Sequence, residues 1–294
     1  MYDVDVIIPA FNEETLIGNA LSSVLAQTLP ARRIIVVDDG SGDRTVDRVQ
    51  AMAADHDGVP VEIVRNDHAG VSAARNAGIM ASRASHVALL DADDAWTPNK
   101  LELQMALWAR GDDGLGVVYC DTLAMTADGT TKPRRMSKTL LRGDLAGPML
   151  DRCLIRGSCS AVVIRRSLFE TAGLFDETLS SGEDWDMWIR LSRICTFDFV
   201  DQALVHQRQP RGDAAAHRRH RIEGEFQLLE KLARQGDLTG AAVQSMARRM
   251  AELNMSLTNL AYYPDMSDDV KRAFRSIPAM AGRALGWTNR VLGK

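Results

Sequence analysis

Two hundred and ninety-four residues, 25% charged and 46% hydrophobic, suit one large globular domain or two modest ones and exclude a disordered chain or a fibre. The net charge of -4 hides a division: residues 1–200 carry 20 Lys and Arg against 29 Asp and Glu, whereas residues 201–294 carry 15 against 10. An acidic first part is a poor surface for nucleic acid, which is not expected as a partner, and a phosphorylated ligand bound there would need a divalent cation between its phosphates and the carboxylates.

The chain opens on MYDVDVII, without a basic leader or cleavage site. Its longest apolar runs fall far short of the ~18 residues that span a bilayer, so a soluble cytoplasmic protein is expected. Near-continuous apolar runs at Val4 to Ile8, Ile34 to Val37, Val61 to Val64, Val87 to Leu90 and Val117 to Tyr119 predict strands. Between them 13–28 (Leu16, Ala20, Leu21 and Val24 on one face), 43–55, 70–84 and 98–110 have helical spacing. This alternation predicts an α/β fold, a mostly parallel sheet flanked by helices, with ligands bound beyond the carboxyl ends of the strands. From 122 to 160 a Gly-, Pro- and Lys/Arg-bearing stretch reads as an excursion over that site. Ala161 to Ile164 and Phe197 to Val200 predict further strands around a helix at 184–194, and after Glu223 the chain reads as helix with breaks at Gly236 and Pro264. Cys120, Cys153, Cys159 and Cys195 form no C-x-x-C pair or zinc spacing and are expected to be reduced and mostly buried.

The polar residues after each strand carry the chemistry. No G-x-G-x-x-G follows the first strand and no G-x-x-x-x-G-K-[ST] occurs, which removes the dinucleotide and P-loop readings. Asp91-Ala92-Asp93-Asp94 follows strand four. Two of its carboxylates have the spacing to converge on one hard cation, leaving positions for diphosphate and water. The plainer reading is a turn or cap, but Thr97-Pro98 offers the next helix its own N-cap and N1 residues, so three acids in four positions have no capping duty. Asp38-Asp39-Gly40-Ser41, after strand two, is ordinary turn chemistry, yet a carboxylate there could accept a pyrimidine imide N–H. Ser181-Gly182-Glu183-Asp184-Trp185-Asp186-Met187-Trp188 reads equally as a capping box with packing tryptophans or as a general base beside a Trp-lined wall.

In order, P-A-F-N-E, V-D-D-G-S, A-G-V-S-A-A-R-N-A-G, L-L-D-A-D-D and G-E-D-W-D-M-W resemble glycosyltransferase family 2, the inverting nucleotide-sugar transferases of GT-A fold, over residues 3–210. The resemblance implies a catalytic domain over 1–221 and a helical extension over 222–294. It also implies that Pro9, Phe11 and Asp39 hold uracil, that Gly70 and Arg75 line the nucleotide, and that Asp91 lies near ribose and metal. Asp93 would ligate Mn2+ or Mg2+ on the diphosphate, and Asp184 would be the catalytic base. The implied partners are a UDP-sugar or similar donor and a saccharide or lipid-linked acceptor of cell-surface polysaccharide assembly. The chain departs from the family at a His-Pro, where it has Gln209-Pro210 with His206 just upstream. His206 reads as a metal or phosphate contact or as a buried partner of a carbonyl, and the arginines at 208, 211, 218, 219 and 221 as a solvated helix entry or a phosphate clamp.

Competing readings are a sugar nucleotidyltransferase, for which Phe11-Asn12-Glu13-Glu14 is the wrong triphosphate loop, and a non-catalytic nucleotide-sugar binding module. Residues 271–294 hold six Lys and Arg and no acid, with apolar residues at roughly helical spacing. They predict a helix packed on the catalytic domain or on a second copy in a homo-oligomer, or one lying peripherally on the inner face of the membrane.

Overall fold

The computed structural model describes residues 3–110, 113–126, 130–132, 140–155, 158–209 and 214–235. The tail at 271–294 and the breaks expected at Gly236 and Pro264 lie outside them. Two compact units divide the chain: Met1–Leu145, Leu154–Glu177 and Arg190–Gln209 form the first, and Ala146–Cys153, Thr178–Ile189 and Pro210–Lys294 the second.

The first unit contains the sheet. Its strands are β1 (Val4–Ala10), β2 (Arg33–Asp38), β3 (Val61–Arg65), β4 (His86–Leu89), β5 (Ala95–Trp96), β6 (Leu115–Met125), β7 (Thr131–Lys132), β8 (Val162–Arg165) and β9 (Thr196–Arg208). They lie in the order β3-β2-β1-β4-β8-β6-β9-β5, with β7 on β6. The run β3-β2-β1-β4 is parallel, as the strand-helix alternation predicts, and so is β6 on β9. Strand β8 enters antiparallel between β4 and β6, and β5 and β7 are antiparallel too. The result is a mixed sheet.

All seven residues of β1 are buried, which suits a central strand apolar on both faces. Its one charged residue, Asp5, is tied to Arg32, Arg33 and the Ser82 hydroxyl. The register sets Ala10 opposite Asp38 and Ile7 opposite Leu89, so β1, β2 and β4 finish at one end of the sheet.

Helices α1 (Ile17–Leu25), α2 (Thr45–Ala54), α3 (Val71–Ala81) and α4 (Lys100–Trp108) fall inside the four predicted spans but are shorter. Helix α4 starts at Lys100 because Thr97 is not its cap. The Thr97 hydroxyl bonds Asn99 Oδ1 and its N–H donates to the Leu204 carbonyl in β9. The short helices α5 (Ala146–Asp151) and α6 (Leu168–Ala172) and strand β5 have too few residues to show a period. Strands β6 and β9 run far beyond their predicted cores, since they pair with each other through polar residues such as Asp121 and Thr122, both buried. Of the cysteines, none of them in a disulfide, Cys120 and Cys159 are buried but Cys153 and Cys195 only half-buried.

In the second unit the described residues form α5, the opening of α7 (Glu183–Ser192) and α8 (Ala214–Gln235). Helix α8 runs unbroken through 221 and 222, where the sequence reading sets the start of the extension. Among the described residues no helix is long and apolar enough to cross a membrane.

Helix α3 approaches β1 and β2 at Gly78, where an added Cβ would overlap Ile7 Cγ2 and crowd Val37. Ile7 is fully buried and cannot yield. Gly78→Ala should therefore destabilise by ~1–3 kcal/mol from overpacking, outweighing the ~1 kcal/mol of helix propensity it gains. Gly42→Ala, with nothing within 4 Å of the new methyl, should be neutral; paired denaturation midpoints check both.

Candidate active site

The loop after β1 is stitched to the loop after β2. The Asn12 N–H donates to Ser41 Oγ (2.9 Å), the Gly42 N–H to Asn12 Oδ1 (2.8 Å) and the Glu13 N–H to Thr45 Oγ1 (2.8 Å). These bonds delay the start of α1, and Asn12 takes a left-handed φ of 54° that Asn tolerates. Pro9 is buried in β1, while Phe11 projects with 41% of its surface exposed.

Asp39 is 3% exposed, and its two carboxylate oxygens accept the N–H groups of Ala69 (3.0 Å) and Gly70 (2.8 Å). It thereby holds the turn in front of α3, where Gly70 has a φ of 94° that favours glycine. His68, in the same turn, stacks on Phe11 with centroids 4.1 Å apart and planes 25° apart, its Nδ1 3.2 Å from the Asp39 carbonyl. Phe11, Asp39, His68 and Gly70 thus form one cluster with an exposed aromatic face. The sequence reading misses His68 because it weighs only the ends of strands one, two and four; the end of β3, Asn66-Asp67-His68, is the signal that would have found it.

Arg75, buried on α3, reaches the end of β4, where its guanidinium lies 2.8 Å from Asp91 Oδ1. Its other side faces the Phe175 ring at 5.5 Å. Asn76 fixes that ring's backbone, donating to the Phe175 carbonyl and accepting the Phe175 N–H.

The acids after β4 divide by role. Asp94 is 3% exposed, and its carboxylate is bound to Ser160 Oγ (2.7 Å) and the Arg208 N–H (2.8 Å). Ser160 Oγ accepts the Asp91 N–H (3.0 Å), and the Arg208 guanidinium donates to the carbonyls of Asp93 and Thr126. Burial, then the charges of Asp91 and Asp93, push the Asp94 carboxyl up to about 8. The plainer turn reading, set aside in the sequence because the three acids have no capping duty, thus holds for Asp94, which builds the turn. Asp91 and Asp93 remain half-buried at the sheet end. Among the described residues no three His, Cys, Asp or Glu side chains cluster as a metal site.

Beneath the turn, the Trp96 indole N–H donates to the Ser160 carbonyl, and Lys100 Nζ lies 3.8 Å from the Trp96 ring centroid. Burial drives the Lys100 ammonium down to about 8. Arg208 is no solvated helix entry: it lies buried at the end of β9, in the acid turn. Arg221 is exposed, and Arg211 and the Arg218 and Arg219 side chains lie outside the described residues. His206, half-buried in β9, pairs opposite Ala95.

The first unit therefore brings Pro9, Phe11, Asp39, Gly70, Arg75, Asp91 and Asp93 to one sheet end. Asp184 belongs to the second unit, in the first turn of α7, behind Gly182 with φ 80°. It is half-buried, and its Oδ1 accepts the Trp185 N–H (2.6 Å). Trp185 and Trp188 are buried, and the Trp185 indole donates to the Met149 carbonyl of α5. Asp186, 1% exposed, pairs with Lys231 of α8 at 2.8 Å.

Comparison with known proteins bears on the family and the fold. An uncharacterized glycosyltransferase of Rickettsia prowazekii (strain Madrid E) is 31% identical over 210 residues, 70% of this chain and 63% of that protein. The chain thus spans about 63% of that relative's length. The succinoglycan biosynthesis protein ExoU of Rhizobium meliloti (strain 1021) is 33% identical over 64% of this chain and 56% of its own. Among solved structures, residues 1–349 of S. aureus TarS in complex with UDP-GlcNAc superpose with a TM-score of 0.71 at 18% identity, covering 96% of this chain and 81% of that one. The mannosyltransferase PcManGT from Pyrobaculum calidifontis, in complex with GDP-Man and Mn2+, gives 0.63 at 18% identity over 98% and 88% of the two chains. These likenesses identify the fold as GT-A. The pattern of Glycosyl transferase family 2 matches residues 5–172, more than half of the chain, and the chain belongs to that family.

Proposed function

We propose that the protein is an inverting, metal-dependent glycosyltransferase that moves a sugar from a UDP-sugar to a saccharide or lipid-linked acceptor in cell-surface polysaccharide assembly. The observation that carries this reading is the convergence of an aromatic face, a buried carboxylate and a D-x-D pair at one sheet end, with Arg75 bonded to Asp91 between them. The UDP-GlcNAc held by TarS and the polysaccharide named for ExoU point the same way.

Phe11 and His68 offer a flat surface for a base. Each Asp39 oxygen has a second lone pair beyond its bond to the turn, so the carboxylate can also accept an imide N–H. Asp91 and Asp93 suit Mn2+ or Mg2+: hard oxygens two residues apart, on a backbone fixed by Ser160 and Arg208, with other positions left to the diphosphate and water. Such a cation would offset the charge that grows on the departing diphosphate. Arg75 holds Asp91 in place and adds a positive charge beside it. Asp184 takes the proton of the acceptor hydroxyl as that oxygen attacks the anomeric carbon from the face opposite the diphosphate.

The deciding experiment is Asp184→Asn, assayed by UDP release from UDP-glucose, UDP-galactose and UDP-N-acetylglucosamine and by calorimetry with UDP. Turnover should fall by ~10²–10⁴ while UDP affinity holds. Retained turnover would remove the base, and an inactive wild type that binds UDP would favour the binding module. Excess chelator and Asp93→Ala should each abolish turnover and weaken UDP binding; full activity in chelator would overturn the metal role. UDP should compete with donor roughly 10- to 100-fold better than GDP, the worth of one buried hydrogen bond. Equal competition would show the base assignment wrong.

A further inference from the structure

The second unit bolts the two residues that follow Asp184 to different helices. Trp185 is held on α5 by its indole N–H, and Asp186 on α8 by Lys231. Residues two apart on a helix do not face each other, so the clamp on Asp186 leaves the Asp184 side of the turn uncovered by that contact. The segment in front of Asp184 is fixed by the same helix. The Ser180 N–H and hydroxyl both donate to Gln227 Oε1 (3.1 and 2.9 Å), and Gly224 packs so closely that an added Cβ would overlap the Ser181 carbonyl oxygen. Gln227, Lys231 and Gly224 occupy positions three, four and seven apart on one face of α8.

We propose that α8 is the element that sets the position of Asp184, with Lys231 and Gly224 as positioning residues for its carboxylate. This rests on the reading of Asp184 as the base. Lys231 acts through its ion pair with Asp186, which is 1% exposed. Gly224 acts by sterics, letting the α8 backbone meet the Ser180–Gly182 segment directly. Both contacts act on the turn that aims Asp184 and neither involves the nucleotide cluster of the first unit. Their loss should therefore appear in turnover and not in donor affinity.

The test uses the full chain, with UDP release from whichever of UDP-glucose, UDP-galactose and UDP-N-acetylglucosamine turns over fastest, and calorimetric UDP binding alongside. Lys231→Met and Gly224→Ala should each lower kcat by about 10- to 100-fold, the scale of a misplacement near 1 Å, with UDP affinity unchanged. Lys231→Arg, which keeps the cation, should restore most of the rate. Should Lys231→Met fail to fold, the double variant Asp186→Asn/Lys231→Met removes both members of the pair and decides the matter by the same loss of kcat. Wild-type kcat in a folded Lys231→Met or in the double variant would overturn the proposal, as would a parallel loss of UDP affinity. Asp184→Asn in the same assay separates the two ideas: if it turns over normally, the base is wrong and the role of α8 falls with it. If it is dead while the Lys231 variants run at full rate, only the positioning role fails.

Discussion

The buried carboxylate of Asp94 is the constraint on which the acid end of the sheet depends. It joins three segments far apart in sequence: the turn after β4, Ser160 ahead of β8 and Arg208 at the end of β9. A buried carboxylate without partners would be costly, so the turn is stable only when those segments have arrived. Once they have, Ser160 binds the Asp91 N–H and Arg208 the Asp93 carbonyl, and the backbone carrying both remaining acids is fixed from two sides. Repulsion among three acids is relieved internally, by the proton that burial favours on Asp94 and by Arg75 on Asp91.

The same economy governs the aromatic cluster after β1 and β2. Asp39 is placed by register at the end of β2, and its two bonds to the Ala69 and Gly70 N–H groups turn a flexible crossover into a rigid lip for α3. Phe11 and His68 then stack on positions whose backbone is already determined, each on or beside a residue with left-handed φ. A rigid aromatic face next to a carboxylate costs little to organise when a ligand arrives.

The second unit follows a different plan. Its described contacts hold a single helical turn, with α5 gripping Trp185 and α8 gripping Asp186 after Asp184 and Ser180 before it. Helix α8 lies beyond residues 5–172, where the family pattern matches, so this device comes from the part of the chain that the pattern does not cover.

Local sequence determined the parallel core and the acids at its edge. β1, β2 and β4 are buried apolar runs between helices, with β3 a more exposed strand at the sheet edge, and a strand that must be apolar on both faces declares itself in composition. The five motifs, taken in order, were legible through their resemblance to glycosyltransferase family 2, the family whose pattern matches residues 5–172. Tertiary structure alone decided the rest. Strand β8 is inserted antiparallel and β9 runs to Arg208 because pairing partners, not periodicity, extend strands through Asp121 and Thr122. Asp94 could not be told from Asp91 and Asp93 in the sequence, since the difference lies in Ser160 and Arg208, 66 and 114 residues away. The role of Lys231 was equally hidden: an ion pair spanning 45 residues leaves no local pattern, only a helix whose lysine happens to meet a buried aspartate.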